Sequence, residues 1–358
     1  MQAVVLVGGE GTRLQPLTLT RPKPALPLVD RPFIRYMVEW LSRHGIDEVV
    51  MACGFQPDGL RAALGDELPG GPHITYVEEE EPLGTAGPVR LAADRGLLDD
   101  RFMVLNGDVL TDLDLTALQS QHEETGAIAT LALYPVDDPT SYGLVRRRED
   151  GAVLAFLEKP DPEEIDTDEI NAGAYVLEGA VVDLIPPGRA VSIEREVFPR
   201  LVGKGLYGRR LEGYWMDIGT PERYLAASWD ILEGRVETDV VATAPGLLID
   251  DGAEVDGTAE VGPRAVVSPG CVVSEGARLG ESVLLENCRV GARATIEGTI
   301  LGAGVEIGEG VSIAPGGVVG DGATIAAGAA VSAGARVQPG EVVPGTFQSH
   351  SDHKAPTG

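Results

Sequence analysis

From Ile249 onward the chain places an aliphatic residue at nearly every sixth position. The series runs Ile249, Val255, Val261, Val267, Val273 and Leu279, takes one five-residue step to Leu284, and continues through Val290 and Ile296. A second five-residue step reaches Leu301, after which Ile307, Ile313, Val319, Ile325, Val331, Val337 and Val343 hold the phase. Seventeen aliphatic positions with two slips are a structural repeat, not a chance alternation. Two residues before most of them stands a small side chain, among them Ala253, Ala259, Ala265, Cys271, Ala277, Cys288, Ala294, Ala323 and Ala335. A large and a small apolar residue every six positions suit a three-sided coil with flat sides and tight corners. Each aliphatic residue then stacks on its counterpart one turn away. The glycines fall mostly at the corners, where a positive φ is needed.

This pattern resembles the hexapeptide repeats of left-handed parallel β-helices, and seventeen sides at three per coil make between five and six coils. The register places Cys271 and Cys288 three sides, or 17 residues, apart. They should therefore stack on adjacent coils, about 4.8 Å apart, as buried small residues.

Upstream the pattern changes. Val4–Val7, Glu48–Ala52, Thr75–Val77, Phe102–Leu105 and Ile128–Tyr134 are short apolar or β-branched runs, and helical patterns at Ile34–His44 and Val89–Arg95 lie between some of them. Alternating strands and helices predict an α/β domain, Rossmann-like, with a mainly parallel sheet and helices on both faces. The expected organisation is a catalytic domain over 1–235, a linker over 236–248, the β-helix over 249–345 and a flexible tail over 346–358 that holds His350 and His353.

Composition narrows the function. Glycine is 47 of 358 residues, an excess that belongs largely to the repeat, and the net charge is −28. So acidic a chain attracts neither nucleic acid nor an anionic membrane surface, and a small anionic substrate would need a local basic pocket or a metal ion. Cys53, Cys271 and Cys288 form no metal-ligand spacing or disulfide framework, so a reducing cytoplasm is the expected location. The first residues carry no leader pattern, and no apolar run approaches membrane-spanning length.

Chemistry concentrates just after the first predicted strand. Gly8-Gly9-Glu10-Gly11-Thr12-Arg13 lacks both the Gly-Lys-Ser/Thr end of a Walker loop and the glycine spacing of a dinucleotide fold. Glycines at a strand end still let backbone N–H groups approach phosphate oxygens, and Arg13 adds a fixed fork of donors. Ten residues on, Arg21-Pro22-Lys23-Pro24 stiffens the backbone around a lysine that can reach back over the same phosphates. Together Arg13 and Lys23 suit the stabilisation of a leaving pyrophosphate.

The string Gly8–Thr18 followed by Pro22-Lys23-Pro24 resembles the signature of nucleoside-diphosphate-sugar pyrophosphorylases. The likeness continues through Glu81–Gly87, Leu105-Asn106-Gly107-Asp108, Phe156–Pro160, Asn171-Ala172-Gly173, Ser192–Pro199 and Gly213–Gly219. In order and spacing it is most similar to the family's guanylyltransferases for mannose 1-phosphate. The resemblance implies that a nucleoside triphosphate and a sugar 1-phosphate react by in-line attack at the α-phosphorus, releasing pyrophosphate. It implies a Mg²⁺ ion held by Asp108 and Asp217. Taken alone, each aspartate could equally be a cap or turn residue.

The same resemblance assigns the nucleotide to Gly8, Gly9, Gly11, Thr12, Glu79, Gly84 and Thr85, and the sugar phosphate to Gly143, Glu158, Lys159, Asn171 and Gly173. A carboxylate at Glu79 can accept from the adjacent N1–H and N2–H₂ of guanine, whereas uracil and thymine offer one N–H between two acceptors that repel it. Because Glu78–Glu81 is a run of four, a solvated acidic loop stays open there, and Glu158-Lys159 could be an exposed ion pair. Two other functions remain: a thymidylyl- or uridylyltransferase for glucose 1-phosphate, and a catalytically silent sugar-nucleotide-binding regulator. The presence of Gly11, Arg13, Lys23, Asp108 and Asp217 disfavours the second. The β-helix contains no histidine, which argues against acyl transfer there, and self-association as a homo-oligomer is its expected role by analogy.

Overall fold

The computed structural model describes residues 1–54, 57–65 and 68–348. It contains two compact units, one of Met1–Glu10 with Pro32–Asp217, the other of Gly11–Arg31 with the chain from Ile218.

In chain order the first unit contains β1 (Gln2–Leu6), α1 (Phe33–Arg43), β2 (Glu48–Cys53), α2 (Pro57–Leu64), β3 (His73–Glu78), α3 (Gly87–Asp94) and β4 (Arg101–Asn106). Then follow β5 (Val109–Thr111), α4 (Leu115–Thr125), β6 (Ala129–Pro135), β7 (Gly143–Arg147), β8 (Val153–Glu158), β9 (Glu169–Glu178), β10 (Leu206–Arg210) and β11 (Trp215–Asp217). Strands β4, β1, β2 and β3 are adjacent and parallel. The inner runs are apolar on both faces because both are covered: Ala3, Val4, Val5, Phe102 and Val104 have no exposed surface, whereas β3 at the edge buries only Ile74 and Val77. Helix α1 buries Phe33, Ile34, Met37, Val38 and Leu41, spaced at three and four, and its Trp40 donates to the Leu113 carbonyl at 3.0 Å.

The sheet continues antiparallel, with β9 pairing β4, β6 and β7, β8 extending from β7, and β10 lying parallel to β6. A bulge in β9 between Asn171 and Tyr175, with Gly173 at φ 76°, turns that strand over the carboxyl ends of its neighbours. Strands β5 and β11 form a separate two-stranded antiparallel ribbon.

In the second unit the described residues form seventeen short strands in three parallel sheets of six, six and five, the coil of a left-handed β-helix. Each of the seventeen aliphatic positions read from the sequence lies in one of these strands. The two slips appear as changes in register: Ile249 pairs with Val267, Val267 with Leu284, Leu284 with Leu301 and Leu301 with Val319, so the coil shortens from 18 to 17 residues and lengthens again. The inward stacks form one core from Val267 to Val343. Cys271 and Cys288 are fully buried in it, each just before a strand of a pair in the expected 17-residue register, and their thiols donate to the carbonyls of Leu285 and Gly302.

Two boundaries differ from the sequence reading. The first side begins at Leu247, inside the expected linker, because Leu247 and Leu248 pair with Ala265 and Val266. Phe347, expected in the flexible tail, donates its N–H to Ala330 and accepts from Ser332, with its ring packed against the helix core. An aromatic ring there covers apolar surface that the last coil would otherwise leave open. The rest of the expected tail, with His350 and His353, lies outside the described residues. Helix α5 (Pro221–Leu232) is also in this unit, capped by Thr220, whose side chain accepts from the Arg223 N–H.

Candidate active site

Ligands of open α/β sheets bind beyond the carboxyl ends of the parallel strands. Here Gly8 follows β1, Gly54 follows β2, Glu79 follows β3 and Asp108 follows β4, so one edge of the sheet gathers two of the expected nucleotide residues, Gly8 and Glu79, with the expected metal ligand Asp108. Gly8 is needed for space, since a Cβ there would lie 2.9 Å from Glu79 Oε1 and 3.4 Å from the Gly54 nitrogen. The other Glu79 oxygen accepts the Leu83 N–H at 2.8 Å. Burial raises the Glu79 pKa, and the Leu83 bond pulls it back. Cys53, beside this edge, is pushed up to about 12 by burial and then by Glu78 and Glu79, which leaves it an unreactive thiol.

Asp108 stands in the turn between β4 and β5. That turn is tight against β1: Gly107 donates to the Leu6 carbonyl at 2.9 Å, and a Cβ on it would meet Val7 Cγ1 at 2.5 Å. Across the ribbon Asp217 is paired with Val109, the residue after Asp108, so one expected metal ligand ends the ribbon and the other stands in the turn that leads into it.

The residues expected at the sugar phosphate form a second group in the same unit. Gly143 is paired with Glu158 across β7 and β8, and a Cβ on Gly143 would fall 2.8 Å from Phe156 and 3.0 Å from Glu158 Oε2. Lys159 takes a left-handed φ of 53° while its N–H donates to the Tyr142 carbonyl, which turns the chain sharply at the strand end. Asn171 is held at the β9 bulge, its amide donating to the Tyr175 hydroxyl and its oxygen accepting the Gly173 N–H. Gly173 lies against Asn106, whose Nδ2 would be 2.7 Å from any Cβ there. Trp215 pins the bulge by donating to the Ala172 carbonyl at 2.8 Å, stacked on Tyr134 and edge-on to Tyr142.

Sequence reading assigned no role to Glu194 or Tyr175, yet both belong to this group. Glu194 Oε2 accepts from the Thr85 hydroxyl at 2.6 Å and the Ser192 hydroxyl at 2.8 Å. Burial and then the Glu194 charge raise the Glu158 pKa, with Lys159 and Arg195 opposing, and the same two causes lead in holding the fully buried Tyr175 well above the usual phenol range. Thr85, expected at the nucleotide, also accepts the Ile193 N–H at 2.8 Å, so its hydroxyl joins the Gly84–Gly87 turn to the 191–194 segment. Gly84 is at φ 74° with a Cβ position 2.6 Å from the Val191 carbonyl. No local signal reveals these contacts, because Glu194 is 109 residues from Thr85.

Gly11, Thr12, Arg13 and Lys23 belong to the second unit. Gly11, at φ 63°, starts a short 3₁₀ turn over Thr12–Leu14, and Thr12 and Arg13 are exposed at its start. A Cβ on Gly11 would be 3.0 Å from both Lys23 Cβ and Thr18 Cγ2, so the glycine is where the loop closes on the lysine stem. Lys23 is only 6% exposed, packed between its two prolines at the start of a second 3₁₀ turn.

Among the described residues no three His, Cys, Asp or Glu side chains gather as a metal cage. Asp217 on the ribbon and Asp108 in the turn leading into it would suit an ion that keeps its waters and takes further ligands from phosphates.

The nucleotidyl transferase family model matches residues 2–234, and the model of the GMPPB C-terminal domain matches 243–348. The mannose-1-phosphate guanylyltransferase of Mycobacterium tuberculosis is 44% identical over 265 residues, 71% of either chain. The mannose-1-phosphate guanyltransferase of Schizosaccharomyces pombe is 40% identical over 314 residues, 84% of this chain and 86% of its own. The crystal structure of HddC from Yersinia pseudotuberculosis superposes with a TM-score of 0.56 at 27% identity, covering 64% of this chain and 99% of that one. A glycine loop, two aspartates at one end of a two-stranded ribbon and a three-sheet β-helix thus occur together in one chain, which belongs to the nucleotidyl transferase family alongside the mannose-1-phosphate guanylyltransferases.

Proposed function

We propose that this protein converts GTP and mannose 1-phosphate to GDP-mannose and pyrophosphate. The observation that carries the reading is the convergence of Gly8, Glu79 and Asp108 at the carboxyl edge of the parallel sheet, with Asp217 paired to Val109, the residue after Asp108. Glu79 accepts two donors from the guanine edge. It has lone pairs to spare after Leu83, and Gly8 leaves its other oxygen open to the base. Glu158, the Asn171–Gly173 bulge and Gly143 meet the sugar hydroxyls, while Lys159 positions the sugar phosphate. An oxygen of that phosphate attacks the α-phosphorus in line, the bond to the β-phosphate oxygen breaks, and Arg13 and Lys23 take the charge that develops on pyrophosphate. No enzyme nucleophile is required.

Asp108 and Asp217 fit Mg²⁺, a hard cation content with one or two carboxylates, and when bound it would neutralise phosphate charge. Mannose-specific contacts, a homo-oligomer built through the β-helix and a cytoplasmic location complete the reading. Its support for the last is three buried free thiols and the absence, among the described residues, of any helix long and apolar enough to cross a membrane.

Asp108→Asn tests the reading. The variant should melt with the parent and lose about 10²- to 10³-fold in turnover. Full activity would remove Asp108 from the chemistry.

A further inference from the structure

The segment carrying Arg13 and Lys23 lies in the same compact unit as the β-helix, and one side chain ties it there. Arg21, two residues before Lys23, places Nη2 2.9 Å from Glu286 Oε1 and 3.3 Å from Asp321 Oδ2. The Thr20 hydroxyl donates to the same Asp321 oxygen at 2.7 Å. The other Asp321 oxygen accepts the Ala303 N–H at 2.8 Å, so this carboxylate is fixed to its coil before it meets the loop. The contact is partly sheltered, with Arg21 24% and Asp321 18% exposed. Beyond Lys23, the segment is held again where the Tyr224 hydroxyl of α5 donates to the Pro27 carbonyl and where Arg31 pairs with Asp239 at 2.7 Å.

Between these anchors Pro22 fixes one of the few torsions that separate Arg21 from Lys23, and Pro24 restricts the backbone of Lys23 itself. Lys23 in turn packs against the Gly11 turn that presents Arg13. A shift at Arg21 therefore passes to both phosphate-directed cations. Removing its charge would also leave Glu286 and Asp321 uncompensated beside a segment that handles a polyanion.

We propose that Arg21 is a positioning residue that sets the affinity for the triphosphate and for pyrophosphate through Lys23 and the Gly11 turn, touching neither substrate itself. The proposal rests on the reading of Arg13 and Lys23 as the pyrophosphate-binding pair. Kinetics of the full chain in both directions test it, with Arg21→Ala, Arg21→Lys, Asp321→Asn and, as the separate control on that reading, Lys23→Ala. Arg21→Ala should raise KM for GTP and for pyrophosphate about tenfold, with KM for mannose 1-phosphate held within about twofold and the melting temperature unchanged. Both carboxylates are met by one nitrogen, so a point charge suffices and Arg21→Lys should recover most of the loss. Asp321→Asn keeps an acceptor for Ala303, and added to Arg21→Ala it should cost little more than either alone.

Unchanged KM for GTP and pyrophosphate in Arg21→Ala, or an equal rise for all substrates with a lowered melting temperature, would overturn the proposal. Lys23→Ala separates the two failures. If it abolishes pyrophosphate affinity while Arg21→Ala does nothing, only the positioning role falls. If Lys23→Ala is itself silent, the reading of the pair falls.

Discussion

Glu79 and Glu158 are both held where the protonated form is favoured, chiefly because each is half-buried, and at Glu158 also because Glu194 is near. The sign of the effect on stability follows from linkage. A carboxyl whose folded pKa lies above its unfolded value gains a proton on folding between the two, so it favours the fold at low pH, and that contribution is lost as pH rises through the folded pKa. Glu158→Gln should therefore melt higher than the parent at pH 7 to 8, with the advantage gone below the ordinary glutamate range, while KM for the sugar phosphate rises. A lower melting temperature for Glu158→Gln at neutral pH would contradict the assignment. The sequence showed that prolines could press Lys23 back toward the glycine loop, since that inference needs only local stiffness. It could not show that Thr85 serves Glu194, because the pairing is made only when distant segments meet.

At the scale of elements, what could be read was set by how strongly burial patterned the chain. The parallel strands are apolar on both faces and announce themselves. Strands β7, β8 and β10 mix in charged residues such as Arg146, Arg147, Glu158 and Arg209, and β9 is broken by its glycine bulge, so no simple period survives. Three-residue β11, which carries Asp217, is too short for any period. The β-helix is the opposite case, because each coil repeats one packing problem and the sequence repeats its answer. Gly270 illustrates a corner: at φ 72°, a Cβ on it would lie 2.3 Å from Asn287 Oδ1 one coil on. Ile296 has no exposed surface and stacks between Leu279 and Ile313, so Ile296→Ala should destabilise the β-helix by about 2–5 kcal/mol in denaturant unfolding. A loss below about 0.5 kcal/mol, typical of a surface position, would mean that the stack is not load-sharing as described.

For the whole molecule, the −28 charge and the anionic substrates are reconciled locally rather than globally. In the proposed reading a handful of cations, Arg13, Lys23 and Lys159, meet phosphate from a glycine turn, a proline-flanked turn and a left-handed strand end, and Asp108 and Asp217 would hold a divalent ion. The glycine excess belongs mostly to the β-helix corners, where most of the positive φ angles of that unit fall. Base and sugar identity are the finest parts of the proposal, in which Glu79 beside Gly8 reads guanine. The most direct test is pyrophosphate release measured for GTP, ATP, UTP and dTTP, each against mannose 1-phosphate and glucose 1-phosphate. The account predicts that GTP with mannose 1-phosphate is the most efficient pair by at least about tenfold in kcat/KM, the scale of a missing hydrogen bond in a specific site. A preference for UTP or dTTP with glucose 1-phosphate would contradict it.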